Sequence, residues 1–197
     1  MKHTNNEKRM AGDYEVFQAI SISTREIVMG EDQSAKQGER YMCAYCGTNE
    51  LFALYSELIT SDNYIEILEL FQKRVHDETE RLKEELFQPE REGIDDRPVI
   101  SAGFVPVSYD DDLKGKVIVI RPDVLKREYQ RATRQYQLCT GGFGASPHSR
   151  GSACFCTNIY SGKNGRFERR DVLGIVEEQQ MPQWVKDRLS KLKKPEK

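Results

Sequence analysis

Between Ile65 and Leu86 the apolar residues Ile65, Leu68, Leu70, Phe71, Val75, Leu82 and Leu86 recur at three- and four-residue steps. That spacing predicts an amphipathic helix over about residues 63–87, with Ser61 and Asp62 as cap residues. Its other face carries Glu66, Glu69, Lys73, Asp77, Glu80 and Glu84, which reads as a solvated face. A helix this long, set between β-prone runs, limits the chain to an α+β fold. The expected architecture is antiparallel β-hairpins packed with three to four helices, one of them long and central.

Upstream, Tyr14–Ser23 and Glu26–Met29 form a hairpin pattern, and Gly30–Glu39 reads as a loop. Arg40–Cys46 is a short β-prone run. Thr48 or Asn49 then looks like an N-cap, with Glu50 and Leu51 opening a helix through about Ile59. Downstream, Gln88–Arg97 is a polar linker, Pro98–Val107 resumes β character, and Lys116–Arg121 (KVIVIR) is a strand buried on both faces. Pro122 and Asp123 start a helix to about Leu138. Ser152–Tyr160 alternates, with Ala153, Phe155, Thr157 and Ile159 against Cys154, Cys156, Asn158 and Tyr160. Arg166–Val176 pairs back on it, and Gln183–Leu192 is a last amphipathic helix.

The expected organisation is a disordered N-terminus (1–13), a single domain over 14–192 with a sub-boundary possible at 88–97, and a tail at 193–197. No apolar run reaches the roughly 18–20 residues that span a bilayer. MKHTNNEKRMAGD lacks the apolar stretch of a signal peptide, so a cytoplasmic protein without membrane contact is expected. The sequence leaves the oligomeric state open.

Net charge is −2, yet residues 1–112 carry −12 and residues 113–197 carry +10. Such asymmetry implies either two halves that neutralise each other or a basic face for an anionic partner. In the predicted helix Arg127, Arg131 and Arg134 share one face. Arg150, Arg166, Arg169 and Arg170 follow, with Tyr129, Tyr136, Phe143 and Phe167 interleaved. Basic and aromatic residues together suit phosphate contacts plus base stacking.

The stretch Leu138–Tyr160 (LCTGGFGASPHSRGSACFCTNIY) concentrates the remaining chemistry. Gly141, Gly142 and Gly144 either end the preceding helix or, with His148 and Arg150, expose backbone amides to an anion. Five cysteines in a reducing compartment are free thiols or metal ligands. Cys43 and Cys46, with His148, Cys154 and Cys156, make an incomplete zinc pattern, weakened if Cys43 and Cys46 point to opposite sides of a strand. Cys154 or Cys156 with His148 is the alternative nucleophilic pair. Asp110–Asp112 reads as a polar turn or a divalent-cation site.

The residues from Arg97-Pro98 through KVIVIRPDVLKREYQRAT, LCTGGFGASPHSRGSA, SGKNGRFERRDVLG and MPQWVKDRL resemble uncharacterised accessory proteins of bacterial conjugative and phage-like elements. In those proteins a TGGFG…RG…R-[FW]-x-R-x-D-x-x-G…P-x-W block closes the chain or one domain of a large polyvalent protein. GERYMCAYC and NELFALYSE also look like members of that group. The resemblance implies a mobile-element cargo protein with a counter-defence role, and brings no activity, cofactor or catalytic residue with it. Its shared block covers the glycines, Arg150, Arg166, Arg169 and Asp171.

The expectation is therefore a non-enzymatic module that binds nucleic acid, or a nucleic-acid-handling protein, through Arg127, Arg131, Arg134, Gly141, Gly142, Phe143, Gly144, His148, Arg150, Arg166 and Arg169. A Cys/His-dependent small enzyme and a zinc-stapled interaction module are the alternatives.

Overall fold

The computed structural model describes residues 8–48, 53–101 and 103–192. The fold is α+β, with antiparallel sheets and, among the described residues, three α-helices, one of 28 residues. The sequence pattern suggested one domain with a sub-boundary at 88–97. The chain divides into two compact units, residues 1–87 and 88–197. The tail expected at 193–197 and residues 1–7 lie outside the described residues.

The first unit is a five-strand antiparallel meander: β1 (Met10–Ala11), β2 (Tyr14–Ile22), β3 (Arg25–Glu31), β4 (Tyr41–Thr48) and β5 (Ala53–Ser61). In the central strand β3, Ile27, Val28, Met29 and Gly30 are all buried, because both sheet faces are covered. Side chains alternate across a strand. Ile27, Met29 and Cys43 therefore pack with Ile67 and Phe71 of α1 (Tyr64–Arg91), whereas Val28, Met42, Ala44 and Cys46 pack with Ala11. The helix starts where Asn63 Oδ1 accepts the Ile65 amide at 3.0 Å. It runs one turn past the expected end, with Pro89 inside its last turn.

Two sequence readings are corrected in this unit. Residues 8–13 were expected to be disordered; instead Met10–Ala11 pairs with Tyr14–Glu15, and Arg9 is held by Glu26. The helix expected from Glu50 to Ile59 is strand over Ala53–Ser61, its opening at 49–52 lying outside the described residues. Ten residues are too few for a helix to hold without tertiary packing, and pairing with β4 satisfies the backbone instead.

The second unit is a six-strand antiparallel sheet in the order β10-β9-β8-β7-β11-β6. The strands are β6 (Val105–Pro106), β7 (Val117–Ile120), β8 (Tyr136–Gly141), β9 (Ala153–Asn158), β10 (Asn164–Glu168) and β11 (Val172–Ile175). All four residues of β7 are buried, as its unbroken apolar run requires. One face gathers Ile118, Ile120, Cys139, Cys154, Cys156 and Val172. The opposite face gathers Val117, Val119, Tyr136 and Ile159 beneath Trp184, Val185 and Leu189 of α3 (Gln183–Leu192).

The helix expected over Pro122–Leu138 is absent. The chain makes short 3-10 turns at Pro122–Val124 and Arg127–Tyr129, one helical turn α2 (Ala132–Gln135), and then β8. Two buried polar groups explain the break. Asp96 accepts the Thr133 amide at 2.7 Å and fixes where α2 begins. Gln135 accepts the Val99 amide and donates to the carbonyls of Val99 and Ile120, acting as a substitute rung between segments that do not pair. The single partner strand expected at Arg166–Val176 is also two strands. Glu168 and Asp171 cap a 3-10 turn reciprocally, which ends β10 beside β9 and sends β11 to the other side of β7. Of the β character expected at Pro98–Val107, Val105–Pro106 alone pairs as strand among the described residues.

Candidate nucleic-acid interface

Strand β8 leaves the sheet at the glycine pair and turns through a 3-10 segment, Phe143–Ala145. Gly142 has φ +103°, and a Cβ on it would stand 2.3 Å from the Ala153 carbonyl oxygen. A Cβ on Gly144 would stand 2.1 Å from the Ser152 oxygen. The turn therefore lies directly on the start of β9, and only glycine allows the approach. These glycines follow a strand, so they do not end a helix as one reading had it.

The turn pushes Phe143 outward, 79% exposed, with its Cβ over Gly151. On β9 the cysteines and Asn158 face inward, which sends Phe155 outward at 52% exposure. Its Cδ2 would be 3.2 Å from a Gly142 Cβ, next in chain to Phe143. Arg166 of β10 lies directly across from Phe155. Arg150 precedes Gly151, the residue under Phe143. Arg150 and Arg166 are exposed, and neither guanidinium has an ion pair or hydrogen bond among the described residues. Glu168, on the same strand face as Arg166, is engaged by Arg170 at 2.8 Å. Two exposed rings and two unpaired arginines are thus neighbours in chain or register: Arg150 beside Gly151 under Phe143, and Arg166 across from Phe155.

The other arginines expected there do not join it. Arg131 pairs with Asp96 and Glu90. Arg134 lies over the Tyr129 ring, 4.7 Å from its centroid. Arg127 is exposed in its own 3-10 turn and, like Arg150, has no partner among the described residues. With the single helix absent, these three do not share a helical face. Arg169 is a structural group. Its guanidinium donates to the carbonyls of Gly144, Ser108 and Asp111, each at 2.7 Å, and to Ser146 and Tyr109 at 3.3 and 3.4 Å. It ties the glycine turn to the 108–111 turn and has no fork left for a phosphate.

Of the backbone amides around the glycine turn, those of Ala145 and Ser146 bond Gly142 and Phe143 oxygens, that of His148 bonds the Tyr109 oxygen, and that of Gly151 bonds Ser149 Oγ. His148 is exposed and faces Asp110 at 3.4 Å. Cys154 and Cys156 are 0% and 1% exposed on the core side of the sheet, so neither meets His148 as a nucleophilic pair. Interaction with Cys139, and then burial, push the Cys154 and Cys156 thiols up, and the same two neighbours lower Cys139; the Cys154 and Cys156 sulfurs lie against the carbonyls of Ser152 and Cys154. All five cysteines are buried and free.

The zinc pattern does not assemble. Cys43 and Cys46 belong to opposite faces of the first sheet, and Cys154 and Cys156 to the other unit. Among the described residues no group of three or more His, Cys, Asp or Glu side chains could hold a metal ion. In the Asp110–Asp112 turn, Asp111 accepts the Ser108 amide and Asp112 the Lys114 amide, which are turn-forming bonds.

Phe155 was missing from the sequence-derived set. The signal was present: cysteine is among the most buried residue types, so the cysteine parity of β9 is the inward one and Phe155 must point out. Among the described residues no helix is long and apolar enough to cross a membrane. Comparison with family models, curated proteins and solved structures finds no match.

Proposed function

We propose that residues 88–197 form a nucleic-acid-binding module, and that the chain is a non-enzymatic accessory protein acting through it. The observation that carries the reading is the pair Arg150 and Arg166, both lacking a carboxylate partner among the described residues, flanking exposed Phe143 and Phe155. By sequence this unit is +5, so the patch sits in a field that attracts polyanions. Guanidinium groups suit phosphate oxygens, and exposed rings suit bases. Action on behalf of a mobile element, in counter-defence, belongs to the same proposal and rests on the TGGFG…RG…RFxRxD block alone.

The test is fluorescence anisotropy with labelled mixed-sequence oligonucleotides over a salt series. Affinity should fall steeply with salt, and Arg150→Ala and Arg166→Ala should each flatten the log–log slope by about one. Absence of binding at low salt would defeat direct recognition. Capture of a nucleic-acid-handling protein that survives nuclease would then favour the protein-partner form of the proposal.

A further inference from the structure

Resting on that reading, we infer that the patch takes single-stranded nucleic acid, with one unpaired base on each of Phe143 and Phe155. In a duplex the base faces are hidden in the stack and only edges and phosphates are presented. A phenylalanine has no donor or acceptor with which to read an edge. What it offers is a flat apolar face, and the only part of a nucleic acid that matches is the face of an unpaired base.

The geometry keeps both rings available. Each rests against glycine backbone, Phe143 on Gly151 and Phe155 beside Gly142. Neither makes a ring–ring or cation–ring contact among the described residues, although several other aromatic residues of the unit do, including Tyr109, Tyr129, Tyr136, Tyr160 and Trp184. Arg150 is next in chain to Gly151, on which Phe143 rests, and Arg166 lies across from Phe155 in the β9–β10 register, so each ring has a cationic neighbour for a flanking phosphate. Next in the row from Phe155, the Thr157 hydroxyl donates to Asn164 Oδ1 at 2.8 Å. Stacking on phenylalanine is tolerant of sequence, because every base has a flat face.

The test compares a single strand, its duplex and a base-free strand of equal length. Wild type should prefer the single strand over the duplex by about tenfold or more. Phe143→Ala and Phe155→Ala should each weaken single-strand binding on the order of tenfold, leaving duplex binding and the salt slope unchanged. The base-free strand should bind wild type as weakly as the single strand binds the double variant. Phe143→Tyr and Phe155→Tyr, which keep the ring, should retain affinity, and an unchanged thermal midpoint shows that the alanine variants fold. If the arginine variants weaken binding but the phenylalanine variants do not, stacking is overturned and nucleic-acid binding stands. If neither single strand nor duplex binds at low salt, both fall.

Discussion

The two units use arginine in opposite ways. In the first, each arginine of the described residues is engaged: Arg9 with Glu26, Arg25 and Arg81 with Glu78, Arg40 with Glu31, and Arg74 with the carbonyls of Cys43 and Glu57. In the second, Arg127, Arg150 and Arg166 have no partner among the described residues, and two of these flank exposed phenylalanines. By sequence the first unit is −7 and the second +5. Carboxylates are plentiful in this chain, so an unpaired arginine is a matter of placement. The lesson is that charge counts identify the basic half, but only partner-by-partner inspection separates arginines that build the fold from those that face outward.

The largest effect expected lies in the turn that presents Phe143. Gly144→Ala places a Cβ 2.1 Å from the Ser152 oxygen, against backbone that cannot yield without moving β9. A loss of about 3 kcal/mol is expected, read by urea unfolding through Trp184, the only tryptophan, which lies in this unit. A neutral result would mean that the turn does not need its seat on β9.

Arg74→Met and Arg169→Met test whether the two units share one device, an arginine holding carbonyls that the sheet leaves over. Arg74 is 6% exposed and bonds Glu57, a residue at φ +52° beside an irregular stretch of the β4–β5 pairing. Each substitution leaves carbonyls unpartnered and should cost about 2–3 kcal/mol. Circular dichroism reports the first and Trp184 fluorescence the second. The same change at Arg150 or Arg166 should move stability by under about 0.5 kcal/mol. Equal losses at Arg150 and Arg169 would erase the distinction between structural and outward-facing arginines.

A smaller effect is expected from pH. Hydrogen bonds from Arg9 hold the Glu26 carboxyl below its ordinary value of 4.5, against the opposing pull of burial. A depressed carboxyl contributes stability that is fully present above its unfolded value and lost as pH falls through the folded one. The pair is partly solvent-screened, so the contribution is under about 1 kcal/mol. Unfolding midpoints between pH 5 and about 3 should fall less steeply for Glu26→Gln than for wild type. Parallel curves would show that the Arg9 bridge adds nothing.

Much of this architecture was legible where local pattern and tertiary need agree. The spacing of Leu68, Phe71 and Val75 marked α1, the unbroken apolar run of β7 marked a strand buried on both faces, and Gln183–Leu192 matches α3. The misreadings fell where pairing overrode propensity. Tyr136–Gly141 lies inside a stretch with helix-forming arginines and a favourable N-terminal proline. It is a strand because β7 and β9 each need a neighbour, and because Asp96 and Gln135, distant in sequence, stop the helix after one turn. The candidate site was half legible. Gly142, Gly144 and Gly151 make close contacts with β9 and Phe143, and Arg166 lies across from Phe155 of β9. Arg169 could not be told from Arg150 and Arg166, since five carbonyls from two segments, 108–111 and 144–146, meet it only in the folded chain.

The most direct test of the account is where nucleic acid touches the protein. Titrating 15N-labelled protein with a short single strand should shift amides at residues 142–144, 150–155 and 164–167, and leave residues 14–61 unmoved. Shifts centred on Arg127, or on the first unit, or none at low salt, would contradict it.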